Sequence, residues 1–204
     1  RVLGPDDPET LAYRSALARW RGEAGDAAGA VRDFEALVAD HLRVVGPDDP
    51  GTLDARYGFA RFRGRAGEAA EAVRDFEALV ADDLRLFGPD DRRTLDARYG
   101  LARWRGEAGD VVGAAAAFGP LVADHLRILG RDHPDTLSTR SGLARWRGEA
   151  GDAAGAAAAF EELLADYERV LGPGHRDTVD TAQRLAHWRA QLQTDAVRDV
   201  ARPD

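Results

Sequence analysis

Arginine recurs at one phase of this chain: Arg19, Arg61, Arg103 and Arg145 stand 42 residues apart, and His187 occupies the next step. A guanidinium is planar, permanently charged and able to donate two parallel hydrogen bonds, so a row of them suits carboxylate or phosphate groups. Tyr57 and Tyr99 each precede one of the middle arginines by four residues, and aromatic side chains beside arginine are the usual anchors of protein interfaces. Ala16, Gly58, Gly100 and Gly142 lie three residues before the four arginines and leave space for a ligand to approach. A plainer reading stands beside this one. Glu23, Glu107 and Glu149 follow Arg19, Arg103 and Arg145 at the i,i+4 spacing of surface ion pairs, each worth ~0.3 to 0.5 kcal/mol. At the second step Arg65 replaces the acid and gathers with Arg61 and Arg63, so a hot spot is expected there.

Other chemistry finds little support. The chain has no Cys, and its serines, Ser15, Ser138 and Ser141, have no His at a helical neighbour position to act as a base. His133 and His175 fall at equivalent loop positions and His41 and His125 on helices, without the short spacing of a metal-ligand pair; loop and capping roles are expected, and no metal. The glycines mark turns with no strand before them, so no phosphate-cradling loop is read. Asp48-Asp49 and Asp90-Asp91 read as loop and cap residues. The expectation is a protein that is not an enzyme and that binds no cofactor.

Composition bounds the partners. With 204 residues, 44% hydrophobic and 31% charged, the chain can bury a continuous core, and its net charge of -8 argues against general affinity for nucleic acid. No apolar run reads as a membrane span and no leader as a signal peptide, so a cytoplasmic setting without membrane contact is expected. All 28 basic residues are Arg and Asn is absent, a bias that fits high-GC coding better than a functional demand. Arg1-Val2 opens in the same phase as Arg127-Ile128 and Arg169-Val170, and no Met is present, as in a piece of a longer protein.

The elements that must position these residues follow from the same period. Gly4, Gly46, Gly88, Gly130 and Gly172 fall in step, as do Thr10, Thr52, Thr94, Thr136 and Thr178. Self-similarity at a period of about 20 to 50 residues marks stacked units that bury their apolar faces against neighbours, hence a solenoid. Each unit reads as two helices. Pro8 to Ala24 opens with Asp7 as N-cap and Pro8 at N1 and stops at Gly25; Ala27 to Val44 is capped by Asp26 and ends at Gly46-Pro47. Leu11, Tyr13, Leu17, Trp20 and Ala24 form one apolar stripe, and Val31, Phe34, Leu37, Val38 and Leu42 the other. Trp20, Trp104, Trp146 and Trp188, with Phe62, share one phase and are expected in the core. The repeats run 2–43, 44–85, 86–127 and 128–169, with a capping half-repeat at 170–193 and a tail at 194–204 forming a short turn and then disorder. Nine helices and no strand are expected, with a kink or break near Phe118 to Leu121 where Gly119-Pro120 interrupts a helix.

The hairpin with its Leu17-Ala18 pair, Gly25, Ala30 and Phe34 resembles a tetratricopeptide repeat, whose usual period is about 34 residues. The longer frame, fullest as Leu129-Gly130-Arg131-Asp132-His133-Pro134-Asp135-Thr136-Leu137 followed by Leu143-Ala144, resembles the kinesin-light-chain type found in actinobacterial repeat proteins, often behind a nucleotide-switch module. The resemblance implies an all-α, right-handed α-solenoid of antiparallel helix hairpins with a C-terminal capping helix. It also implies that the first helix of each pair lines a concave groove that takes a peptide or partner protein. Matched residue by residue, that groove holds Ser15, Arg19, Asp54, Tyr57, Arg61, Arg65, Asp96, Tyr99, Arg103, Ser141, Arg145 and His187. The Asn pair with which such relatives grip a peptide main chain is absent: its places hold Ser15-Ala16, Tyr57-Gly58, Tyr99-Gly100, Ser141-Gly142 and Gln183-Arg184.

The reading is therefore an interaction scaffold whose ligand is a peptide segment carrying acidic groups, held near Arg61, Arg65 and Arg103. Anion or nucleic-acid binding through the arginine row, and a structural spacer with an empty groove, are the alternatives. Leu11, Tyr13 and Leu17 of the first helix have no preceding repeat to cover them, so weak self-association through that end is also expected.

Overall fold

A computed structural model describes residues 4–200, with side chains through Thr194. Helices α1 (Pro8–Glu23) and α2 (Ala27–Val44) form the first hairpin, α3 (Pro50–Arg65) and α4 (Ala69–Phe87) the second. They are followed by α5 (Arg92–Glu107), α6 (Val111–Leu129), α7 (Pro134–Glu149), α8 (Ala153–Leu171) and α9 (Arg176–Val200). No strand occurs among the described residues. The chain forms two compact units, one through Ala108 and holding α1 to α5, the other from Gly109 and holding α6 to α9. In each unit every helix packs on the next in sequence, and in the first unit α3 also touches α1 and α5.

The helix ends follow the capping residues. Asp7 Oδ1 accepts from the Glu9 N–H at 2.9 Å, and Asp26 Oδ1 from the Gly29 N–H at 2.8 Å. Gly25, Gly67, Gly109 and Gly151 turn the chain inside each hairpin with φ between 97° and 105°, a region that only glycine enters without strain. The recurring Thr closes the other junction: Thr52, Thr94 and Thr178 donate to the carbonyls of Gly46, Gly88 and Gly172 at 2.6, 2.8 and 2.8 Å. Each hydroxyl ties the start of a first helix to the end of the preceding second helix.

The core is built from aromatic rings seated on glycines. In the first unit Phe34 lies on Gly58 and Phe76 on Gly100, while Phe62 lies on Gly22 and Trp104 on Gly64; in the second, Phe118 lies on Gly142 and Trp188 on Gly148. A Cβ at any of these glycines would come closer than 3.0 Å to the ring. Phe34, Phe76, Phe118 and Phe160 are all buried, and truncating such a ring costs ~3 to 5 kcal/mol. Gly58, Gly100 and Gly142 thus do not open space for a ligand, as their phase beside the arginines implied; the space is filled from below by phenylalanine.

Further expectations need correction. Trp104, Trp146 and Trp188 are in the core, but Trp20 is 74% exposed, with no glycine among the described residues beneath its ring. Tyr13 and Leu17 beside it are exposed as well, whereas Leu11 turns inward onto Phe34 and Leu37 and is buried. Helix α6 continues through Pro120 as one element, so of the expected kink or break the break does not occur. Pro120 and Ala116, the residue whose carbonyl loses its i,i−4 donor, both lie on the exposed side, where water can take the place of the missing N–H. Helix α6, at 19 residues, is also long and apolar enough by length and composition to cross a membrane; here Ala114, Phe118, Leu121 and His125 are buried on its packed side. Finally, α9 continues as one helix past the end expected near Gln193, since Gln193 replaces Gly151, the positive-φ glycine of the turn after α7. Residues 201–204 of the expected tail lie outside the described residues.

Candidate binding face

The arginine phase falls on the first helix of each hairpin, and in the first unit it borders two clefts. One, of about 420 Å3, is lined by Arg19, Leu53, Asp54, Tyr57, Arg61, Leu79, Asp83, Arg93 and Asp96. The other, of about 660 Å3 and mostly apolar, lies beside it along α1; Ser15, Arg19 and Asp54 line it with Leu11, Trp20, His41 and Val45. In the second unit Arg145 and His187 share a cleft of about 440 Å3 with Glu149, Gln183, Arg184 and Trp188. Eight of the twelve residues expected to bind thus border three clefts: Ser15, Arg19, Asp54, Tyr57, Arg61, Asp96, Arg145 and His187. Arg65, Tyr99, Arg103 and Ser141 border none of the three.

Tyr57 sits edge-on to Phe76, with ring centroids 5.4 Å apart, and is half-buried between α4 and the cleft. Burial pushes its phenol above the usual tyrosine range, and the Asp96 carboxylate adds to the shift. It presents a rigid ring to the cleft at little entropic cost.

Arg61 and Arg65 are not free of acids. Glu23 accepts from Arg61 at 2.6 Å and from Arg65 at 2.9 Å, and the hydrogen bond from Arg65 is the chief reason that its carboxyl titrates below the usual range. The acid missing from the second repeat is supplied by the first, one period earlier in the chain. The hot-spot expectation rested on that absence, and the geometry removes its premise. Arg93 is likewise engaged, by Asp54. By contrast Arg19 forms no ion pair among the described residues, and Arg103 lies only over the Trp104 ring, 5.0 Å from its centroid. Arg145 lies 4.2 Å from the centroid of Trp146, and the ring of His187 meets that of Trp188 edge-on at 4.9 Å.

Two groups beneath this face were not legible as site residues. His41 and Asp83 occupy equivalent places on α2 and α4, followed by His125 on α6 and Tyr167 on α8, and all four are buried. The first two carry buried polar atoms without a partner, His41 Nδ1 and Asp83 Oδ1. In the second unit Thr139 lies 3.0 Å from Nδ1 of His125. The places equivalent to Thr139 hold Ala55 and Ala97, which offer no hydroxyl. Burial pushes the Asp83 carboxyl up to about 6; Arg93 and Arg56 pull it down, and Asp91 and Asp82 push it up. A polar residue recurring on an otherwise apolar helical face was the available signal. His133 and His175 fill the capping roles expected of them, Nδ1 of each accepting from a backbone N–H at 3.2 Å.

Helix pairs joined by glycine turns, stacked in series and without a strand among the described residues, define the class of protein: an all-α tandem hairpin repeat of the α-solenoid type. Residues 10–51 and 136–177 match the tetratricopeptide repeat family model, one period of 42 residues each. The two matched segments are tetratricopeptide repeats, and the chain as a whole has the fold of such repeats. Its fold is similar to that of the nearly identical TPR-like repeats of a kinesin light chain from Podosopora anserina, at 24% identity and a TM-score of 0.77 over 97% of this chain and 93% of that one. A point variant of the same protein gives 24% and 0.78 over 98% and 93%. BtubC (BKLC) from P. vanneervenii is 14% identical with a TM-score of 0.72, over 96% of this chain and 84% of that one. No curated protein matches the sequence.

Proposed function

We propose that this chain is an interaction scaffold, without catalytic activity of its own, that takes a peptide segment of a partner protein along the first helices of its hairpins. The tetratricopeptide-repeat fold makes protein partners the general expectation. The observation that carries the reading for this chain is the cleft of about 420 Å3, where an aromatic ring, Tyr57, and an arginine without an ion pair, Arg19, line one concave site with apolar Leu53 and Leu79 at its base. Aromatic and arginine anchors surrounded by apolar surface are the composition of protein-binding hot spots. A hydrogen-bond acceptor on the segment pairs with Arg19 at no loss of an internal bond, whereas Arg61 and Arg65 would first have to leave Glu23. Arginine engagement by Glu23 and Asp54, together with the net charge of -8, weighs against the nucleic-acid alternative.

The test is selection of a random peptide library on the immobilised chain, followed by titration of the selected peptides against variants. Tyr57→Ala and Arg19→Ala are each expected to weaken binding at least tenfold, and Arg74→Ala, on the exposed side of α4, to leave it unchanged. Selected peptides that bind all three variants as tightly as the parent would overturn the assignment of the site, and so would an absence of any enriched peptide.

A further inference from the structure

We propose that Asp83 is a specificity determinant of this cleft and selects a carboxamide, the side chain of Asn or Gln, on the bound segment. The inference rests on the reading of the cleft as a peptide site and adds what the cleft reads. Asp83 is 2% exposed, lines the cleft and makes no hydrogen bond among the described residues. A buried acceptor left unpaired is costly in the empty protein, and a ligand that supplies the missing donor recovers that cost as affinity and discrimination. The fold supplies an internal hydrogen-bond partner at the equivalent place of the second unit, where the Thr139 hydroxyl meets His125, and withholds it here, where the residue is Ala97.

The charge balance of the cleft chooses among donors. Its arginines, Arg19, Arg61 and Arg93, are matched in number by Asp54, Asp83 and Asp96. Arg61 is held by Glu23 and Arg93 by Asp54, which leaves Arg19 and Asp83 as the donor and acceptor with no bond of their own. An ammonium group would satisfy Asp83 but add a cation beside Arg19. A carboxylate would satisfy Arg19 but add an anion beside Asp83. A carboxamide is neutral and carries both halves: its NH2 donates to Asp83 and its C=O accepts from Arg19. Acidic residues of the same segment remain free to lie elsewhere along the face, so the two readings do not conflict.

The peptide selection is repeated on Asp83→Leu, which removes the acceptor while keeping a buried side chain of similar length, and on Ala97→Thr, which offers Asp83 the hydroxyl that Thr139 gives His125. Peptides selected on the parent chain are expected to share an Asn or Gln, to lose at least tenfold in affinity for either variant, and to lose the same when that residue becomes Leu. In a second arm the Asp83 carboxyl carbon is followed by NMR as propionamide, propionate or propylammonium is added. Propionamide alone is expected to shift the signal saturably and to lower its midpoint of titration. Peptides that need Tyr57 and Arg19 but bind both variants unchanged would overturn the role of Asp83 and leave the peptide site standing. A larger response to propylammonium or propionate than to propionamide would overturn the choice of donor, and peptides indifferent to Tyr57 and Arg19 would overturn the underlying site instead.

Discussion

The buried Asp83 makes stability depend on pH in a direction opposite to that of an ordinary paired carboxylate. Its carboxyl rises from 3.8 in a free chain to about 6 when folded, because burial outweighs the pull of Arg93 and Arg56. Between those values the folded chain binds more protons than the unfolded one, so stability falls as pH rises from about 4 to about 6 and stays lower above. A shift of roughly two units corresponds to ~3 kcal/mol at ~1.36 kcal/mol per unit, an upper bound on what the charge costs at neutral pH. Asp83→Asn keeps the shape and removes the titration. Urea unfolding of both proteins at pH 4, 5, 6 and 7.5 is expected to show the variant close to the parent at pH 4 and more stable by ~1 to 3 kcal/mol at pH 7.5, with the gain developing between pH 4 and 6. A difference that is the same at every pH, or that favours the parent as pH rises, would refute the account of Asp83 as a desolvated and unpartnered acid.

Asp166 gives the opposite sign. It is bonded to Arg140, Arg131 and Arg169, and these hydrogen bonds overcome the effect of burial to hold it at about 2. Asp166→Asn should therefore cost ~2 kcal/mol at pH 7 in urea unfolding, a loss that shrinks as pH falls from about 4 toward about 2, where the parent loses the same contribution. Gly100→Ala would drive a methyl group into Phe76 and should destabilise by ~1 to 3 kcal/mol, while Gly119→Ala, whose new Cβ meets nothing beyond the adjoining Pro120, should change stability by no more than ~1 kcal/mol, the helical gain of Ala being offset by the strain of a side chain before Pro. Thermal unfolding of the two variants in parallel checks the contrast. Trp20 should be quenched by acrylamide in the native state while Trp104, Trp146 and Trp188 are protected; if the exposed Tyr13, Leu17 and Trp20 mediate self-association, sedimentation of the parent will depend on concentration and that of Trp20→Ser will not.

What the sequence conveyed and what it hid divide along one line. The caps Asp7 and Asp26, the turn at Gly25 and the boundaries of α1 and α2 are local, and local chemistry specified them. The misreadings concern neighbours one period away. Glu23 was assigned to Arg19 at i,i+4, but in a stacked repeat the residue 42 positions on is as near as the next helical turn, and Glu23 reaches Arg65 instead. Gly58 and Gly100 had the phase of the arginines and seemed to face a ligand, yet a glycine that admits a phenylalanine from the preceding hairpin has the same spacing as one that admits a peptide. Trp20 shares its phase with three buried tryptophans, and phase alone does not say whether the partner glycine is present. Asp83 was overlooked because one acid on the apolar face of α4, after Phe76 and Leu79, looks like a lapse in the pattern until its lack of a partner is seen in three dimensions.

The seating of each aromatic ring on a glycine also sets a rule for assembly. In the first-helix series the glycines are Gly22, Gly64, Gly106 and Gly148, and the next member is Ala190. A second copy adding head-to-tail would set its Trp20 on Ala190, where a methyl group stands in the place that Gly148 keeps clear for Trp188. Head-to-tail contacts that repeat without closing make filaments. One methyl group thus sets the α9 step apart from those before it: a ring that seats on Gly148 would not seat on Ala190, so the series of ring-on-glycine seats does not continue from α9.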